Sequence, residues 1–267
     1  MTPVAIQQGD SPIVLGLPHA GTWLPNDVHD SLSPNGQLLA DTDWHVDRLY
    51  AGLLENVTTV RANFHRYVID ANRDPQGTSL YPGQNTTELV PTTDFDGKPI
   101  WDSPPSDSEI GERVKNYHEP YHAAMQTELN RICEVHGAVI LFDCHSIRSQ
   151  IPHLFEGRLP DLNIGTFNGK TCAKTIEEAV VKCCASAEPF THILNGRFKG
   201  GWTTRHYGKP STNVHAVQLE IAQNTYLESE AAPFHYSEKK ADRLRTYLKR
   251  ILESLVTVFE TQIRETQ

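Results

Sequence analysis

The chain is short of several features that would each fix a function class. It has no excess of positive charge: 24 Lys and Arg stand against 33 Asp and Glu, a formal net charge of −9. That argues against nucleic-acid binding, which needs a basic face. No apolar run approaches the roughly 20 residues that cross a bilayer, and the opening stretch MTPVAIQQGDSPIVLGLPHAG has no basic segment followed by a long apolar one. A soluble, cytoplasmic protein with no membrane partner is the expectation. The five cysteines, Cys133, Cys144, Cys172, Cys183 and Cys184, are odd in number and form no CxxC pair, so neither a disulfide framework nor a Cys-based structural zinc site is expected. Ser146 and Cys144 sit in no GxSxG elbow, which weighs against a Ser or Cys nucleophile. Internal repeats and low-complexity tails are also missing.

What is present is an alternation of short apolar runs with longer helical patterns, the mark of a sheet covered by helices. Strands are expected at 12–17, 58–64, 67–71, 137–143, 161–167 and 214–222, and helices within 44–56, 107–137, 172–186 and 237–265. In the last of these, Leu244, Leu248, Ile251, Leu255 and Phe259 recur at helical spacing. The 267 residues fall within the range of one α/β core, so a single domain over 1–267 with a mixed sheet between helices, a three-layer α/β/α arrangement, is the fold expected. Two long polar stretches, 72–106 and 194–213, read as loops, and loops of that length in a compact domain are commonly functional.

Five constellations carry groups suited to chemistry. The run AVILFDCHSIRSQ ends in Asp143, His145 and Arg148, and ligands bind at the carboxyl ends of strands in open α/β sheets. In LPHAGTWLP, His19 follows the apolar run 12–17 in the same way, and neutral imidazoles are common zinc ligands. DTDWHVDRLY places Asp41, Asp43, His45 and Asp47 at a helix start, where acidic residues are expected for the macrodipole alone. Either Asp43 or Asp47 would complete a site of two His and one carboxylate, and spacing does not choose between them. HRYVIDANRDPQG offers Arg66, Asn72 and Arg73, a forked donor set suited to a carboxylate. Finally, Glu220 interrupts the apolar run VQLEIAQ, either as a half-exposed strand residue or as a general base beside a metal.

Together these segments resemble the N-formylglutamate amidohydrolase family, the deformylases of bacterial histidine breakdown. LPHAGTWLP, DTDWHVDRLY, HRYVIDANRDP, SLYPGQNTTELVPTTDFDGKPIW, YHEPYHAAM, LFDCHSIRSQ, NGRFKGGWTTRHYGKP and VQLEIAQNTYL carry the likeness, from Leu17 to Leu227. That family is similar in fold to the zinc carboxypeptidases and aspartoacylases, whose sites hold Zn²⁺ with two His and one carboxylate. The resemblance implies His19 and His145 as metal ligands. Those relatives have a Glu three residues after the first His; here Thr22 stands there, so the third ligand falls to the block containing Asp43 and Asp47.

The resemblance further implies Glu220 as the base that activates water and Arg66 as the group that polarises the scissile carbonyl. Asn72 with Arg73 would grip a substrate carboxylate, with Asp143 orienting a ligand. The side-chain carboxylate falls to Arg205, or alternatively Arg148. The implied reaction is hydrolysis of N-formyl-L-glutamate, a small-molecule substrate, to formate and L-glutamate. Its rivals are a zinc hydrolase of another N-acyl amino acid, a carboxypeptidase, and a non-catalytic binding protein for acidic metabolites.

Overall fold

A computed structural model describes residues 2–78 and 86–263. The beginning of the SLYPGQNTTEL block, 79–85, and the end of the last expected helix, 264 and 265, lie outside the described residues. Seven strands form one mixed sheet: β1 (Val4–Gln7), β2 (Ile13–Leu17), β3 (Thr58–Ala62), β4 (Val139–Ile147), β5 (Leu162–Gly165), β6 (His192–Leu194) and β7 (Val214–Ala222), in the order β1-β3-β2-β4-β7-β5-β6. The centre, β3-β2-β4-β7, is parallel, and β1 and the β5-β6 pair run against it.

Parallel strands covered on both faces read as continuous apolar runs. All nine residues of β4 and all five of β2 are accordingly buried. Alternation sorts their side chains. Ile140, Phe142, Val217 and Leu219 face one core, which α2 (Val46–Tyr50), α5 (Lys174–Ala185) and α7 (Glu238–Val258) close. Val139, Leu141 and Ala216 face the other, against Met125 and Leu129 of α4 (Glu119–His136). The result is three layers, α/β/α.

The helices follow from local chemistry. The expected helix 107–137 is realised as α3 (Asp107–Arg113), a wider π turn over Val114–His118, and α4. Ser106 and Glu109 cap α3 reciprocally. Gly137 closes α4 at φ 82°, where its N–H reaches the Cys133 carbonyl at 2.7 Å. Along α7 the apolar stripe Leu244, Leu248, Ile251 and Leu255 is buried, as its spacing requires.

Three local expectations are corrected. The apolar run 67–71 is a turn followed by irregular chain: Tyr67, Val68 and Ile69 are apolar because that segment is packed into the α4-side core. Two short helices were missed, α1 (Asn26–Ser31) and α6 (Trp202–Tyr207), the second inside the stretch read as loop. The short strands β1 and β6, at the two edges of the sheet, were also missed. All five cysteines are free, and no described helix is long and apolar enough to cross a membrane.

Candidate active site

The site begins with a register. His145 of β4 is the partner of Glu220 on β7, and Asp143 is the partner of Gln218. Residues two apart on a strand share a face, so these four make a polar block at the carboxyl end of the sheet. Gln218 donates to Glu220 Oε2 at 3.0 Å and accepts from the Gly201 N–H at 2.6 Å, so its amide is held from both ends.

His19 arrives from the next strand, two residues beyond the end of β2. The Asp43 N–H donates to the His19 carbonyl at 3.1 Å and ties the Asp43 loop to it. Asp43 Oδ2 lies 3.0 Å from His145 Nδ1 and 3.8 Å from His19 Nδ1, and accepts from the Ser146 N–H at 3.1 Å. The far nitrogens are each held by another carboxylate: Asp70 Oδ1 is 2.7 Å from His19 Nε2, and Asp143 Oδ1 is 3.1 Å from His145 Nε2. Asp143 in turn accepts from the Thr204 hydroxyl at 2.8 Å. Imidazoles that ligate metals are characteristically held in this way on their outer nitrogen.

His19, Asp43 and His145 are buried and present one ligand atom each within 4.8 Å of one another, two imidazole nitrogens and a carboxylate oxygen. That donor set suits a zinc-type cation with an open position. Charge points the same way, since Asp43, Asp70 and Asp143 are buried together and outnumber the buried guanidinium Arg66 beside them. Arg66 Nη2 reaches Asp70 Oδ2 at 3.0 Å and lies 2.8 Å from His19 Nδ1. Burial and then Arg66 lower the His19 pKa. Burial alone would lower that of His145 as well, but Asp143 and Asp43 carry it well above its ordinary value. Burial likewise opposes the charge on Asp43, yet the hydrogen bond from His145 and the charges of His19, His145 and Arg66 hold it below the usual carboxylate range. Glu220 goes the other way: burial pushes it up to about 7, near where a general acid and base works best at neutral pH.

These groups open into a cleft also lined by Asn72, Arg73, Phe95 and Arg197. Asn72 is fixed by the Thr203 N–H, which donates to its Oδ1 at 2.8 Å, so its amide nitrogen sits 3.2 Å from His145 Nε2. Only a glycine fits opposite: a Cβ on Gly201 would lie 2.3 Å from that nitrogen. Arg73 is braced by Thr87, donating to its carbonyl at 2.9 Å and to its hydroxyl at 2.8 Å.

Three residues expected at the site are placed elsewhere. Asp47 and Asp43 do not share a helix face, because α2 starts only at Val46 after His45 takes φ 59°; Asp47 pairs with Arg61 at 2.6 Å. Arg148 does not line the cleft and is bonded to Asp96 at 3.1 Å. Arg205 does not line it either: its Nε donates to the Gly200 carbonyl at 2.8 Å and its guanidinium lies over Phe167. Asp70, Gln218, Thr204 and Arg197 also belong to the site, beyond the residues expected from the sequence. The one available signal was that Arg197 and Thr204 lie in the polar stretch 194–213.

The family model for N-formylglutamate amidohydrolase matches residues 11–227. The chain belongs to that family. It is 45% identical over 256 residues to an N-formylglutamate deformylase of Pseudomonas putida, covering 95% of each chain, and 43% identical to one of Pseudomonas aeruginosa, covering 95% of this chain and 96% of the other. In fold it is similar to a crystal structure of an N-formylglutamate amidohydrolase from Ralstonia eutropha JMP134. The TM-score is 0.79 at 24% identity, covering 98% of this chain and 99% of the other. The family match spans His19, Asp43, Arg66, Asp70, His145 and Glu220 alike.

Proposed function

We propose that this protein, as one catalytic domain, hydrolyses N-formyl-L-glutamate to formate and L-glutamate, as part of histidine breakdown. The observation that carries the reading is a single cleft in which a metal-type donor set, a buried glutamate and arginines converge. Deformylase relatives at 43–45% identity support the substrate.

His19, Asp43 and His145 would hold one divalent metal, Zn²⁺ by the same resemblance, which when bound supplies Lewis-acid charge at the reacting carbonyl. Glu220 takes a proton from the attacking water as the water oxygen bonds to the formyl carbon. Arg66 donates to the oxygen that gains negative charge. The C–N bond then breaks, and Glu220 returns the proton to the departing nitrogen, leaving formate and glutamate. Asp70 and Asp143 keep the two imidazoles oriented throughout.

The substrate carries two carboxylates, and the cleft offers two arginines beyond Arg66. Arg73 with Asn72 takes the one next to the amide, and Arg197 takes the side-chain one in place of Arg205 or Arg148. Incubating the purified protein with N-formyl-L-glutamate should release formate and glutamate in equal amounts. Binding without release would favour an acidic-metabolite binding protein, and faster release from N-acetylglutamate or a dipeptide would favour the rival hydrolases.

A further inference from the structure

The motif YHEPYHAAM is not used by the mechanism above, yet its two histidines touch the segment that carries Asn72 and Arg73. His118 closes the π turn and His122 lies four residues on, so both rings project from one side of the helix, with centroids 4.3 Å apart. His118 Nε2 lies 3.0 Å from the Arg73 carbonyl oxygen, and His122 Nε2 lies 2.8 Å from that of Ala71. A carbonyl only accepts, so each Nε2 carries the proton and donates. Burial holds both imidazoles below their ordinary pKa, which keeps them neutral, with one N–H each.

The two bonds bracket Asn72. From the other side, Asp70 Oδ1 accepts from the Asn72 N–H at 2.8 Å. His122 Nδ1 is 2.9 Å from the Tyr207 hydroxyl, and the Trp202 ring stands edge-on to His122 at 4.7 Å. Both partners belong to α6, whose Thr203 N–H fixes the Asn72 side chain. His122 therefore joins the Asn72 backbone to the helix that orients its amide.

We propose that His118 and His122 are positioning residues for substrate binding: they clamp the backbone on either side of Asn72 and so set Asn72 and Arg73 toward the cleft. This rests on the assignment of Asn72 and Arg73 to a substrate carboxylate. A histidine that merely filled space would be replaced without loss by an apolar side chain, whereas a clamp needs the N–H. Glutamine can present a donor at a reach similar to Nε2; leucine cannot.

The test is steady-state kinetics on N-formyl-L-glutamate for His118→Leu, His122→Leu and the two Gln variants, with amide hydrogen exchange of residues 70–74 in each. The clamp expects the Leu variants to raise KM by about tenfold, with kcat changing by less than about threefold, and the Gln variants to recover most of the loss. In an Arg73→Ala background the same Leu substitutions should add less than about twofold, since residues acting through one another are not additive. Exchange at 71–73 should quicken in the Leu variants and not in the Gln variants. Unchanged KM in the Leu variants, or their full effect in the Arg73→Ala background, overturns the clamp. If the wild type releases no formate, the deformylase reading fails by itself, and the clamp then stands or falls on whether exchange at 71–73 quickens.

Discussion

His145 and Glu220 stand side by side on adjacent parallel strands as register partners, both buried and both on the cleft-facing side of the sheet. The pairing sets a metal-ligand candidate next to the group best placed to move a proton, and sheet geometry alone fixes their separation. Replacing Glu220 by Gln keeps the shape and the neighbouring Gln218 contact but removes the proton acceptor. The expected result is a kcat lower by about 10² to 10⁴, with substrate binding and metal content retained. A variant with near wild-type kcat would return Glu220 to a structural role.

Asp43 and Asp47 should part company in metal analysis. Asp43→Ala removes the carboxylate that faces both imidazoles, and the purified variant should retain little metal. Asp47→Ala breaks a half-exposed pair with Arg61, so metal content should match wild type and stability should change by less than about 1 kcal/mol. Equal metal in both variants would remove Asp43 from the ligand set.

Arg197, in the loop before α6, and Arg205, within that helix, can be told apart by substrate charge. Arg197 lines the cleft and Arg205 does not. If Arg197 meets the side-chain carboxylate, wild type should prefer N-formylglutamate over N-formylglutamine by at least about tenfold in kcat/KM, or roughly 1.4 kcal/mol. Arg197→Ala should narrow that gap and Arg205→Ala should leave it. The opposite pattern would reinstate Arg205.

Far from the cleft, His215 gives a pH signature of folding. Burial lowers its pKa to about 4, and its Nδ1 accepts from the Ala173 N–H at 3.1 Å. An imidazole whose folded pKa lies below its unfolded value near 6.5 stabilises the fold fully above that pH. The contribution, up to about 3 kcal/mol, is lost as the pH falls toward 4. In His215→Asn, which keeps an acceptor but does not titrate, the fall in unfolding midpoint between pH 7 and pH 5 should be smaller than in wild type. An equal fall would show that other groups govern acid sensitivity.

The parts of this account legible in the sequence are those written in periodicity or in strongly typed blocks. β2, β4 and β7 are buried on both faces and read as apolar runs, and His19, His145 and Glu220 follow from where those runs end or are interrupted. The choice between Asp43 and Asp47 needed the three-dimensional turn at His45, because spacing alone assumes a helix that has not yet begun. Asp70 was hidden inside YVIDA, whose apolar character reports burial of irregular chain and looks the same as a strand. α6 is only six residues long and follows Gly200 and Gly201, too short for a periodic signal to rise above its loop. Arg197 lies in the loop before α6 and Arg205 within that helix, its guanidinium turned onto Phe167, and composition carries no trace of either placement.

Metal-assisted deformylation in this cleft is tested by formate release from N-formyl-L-glutamate by one protein preparation, measured as purified, after chelation, and after Zn²⁺ is restored. The expected results are release, its loss, and its recovery, with one metal ion per chain accompanying activity. Undiminished release from protein shown to be free of metal, or no formate from metal-replete protein, would contradict it.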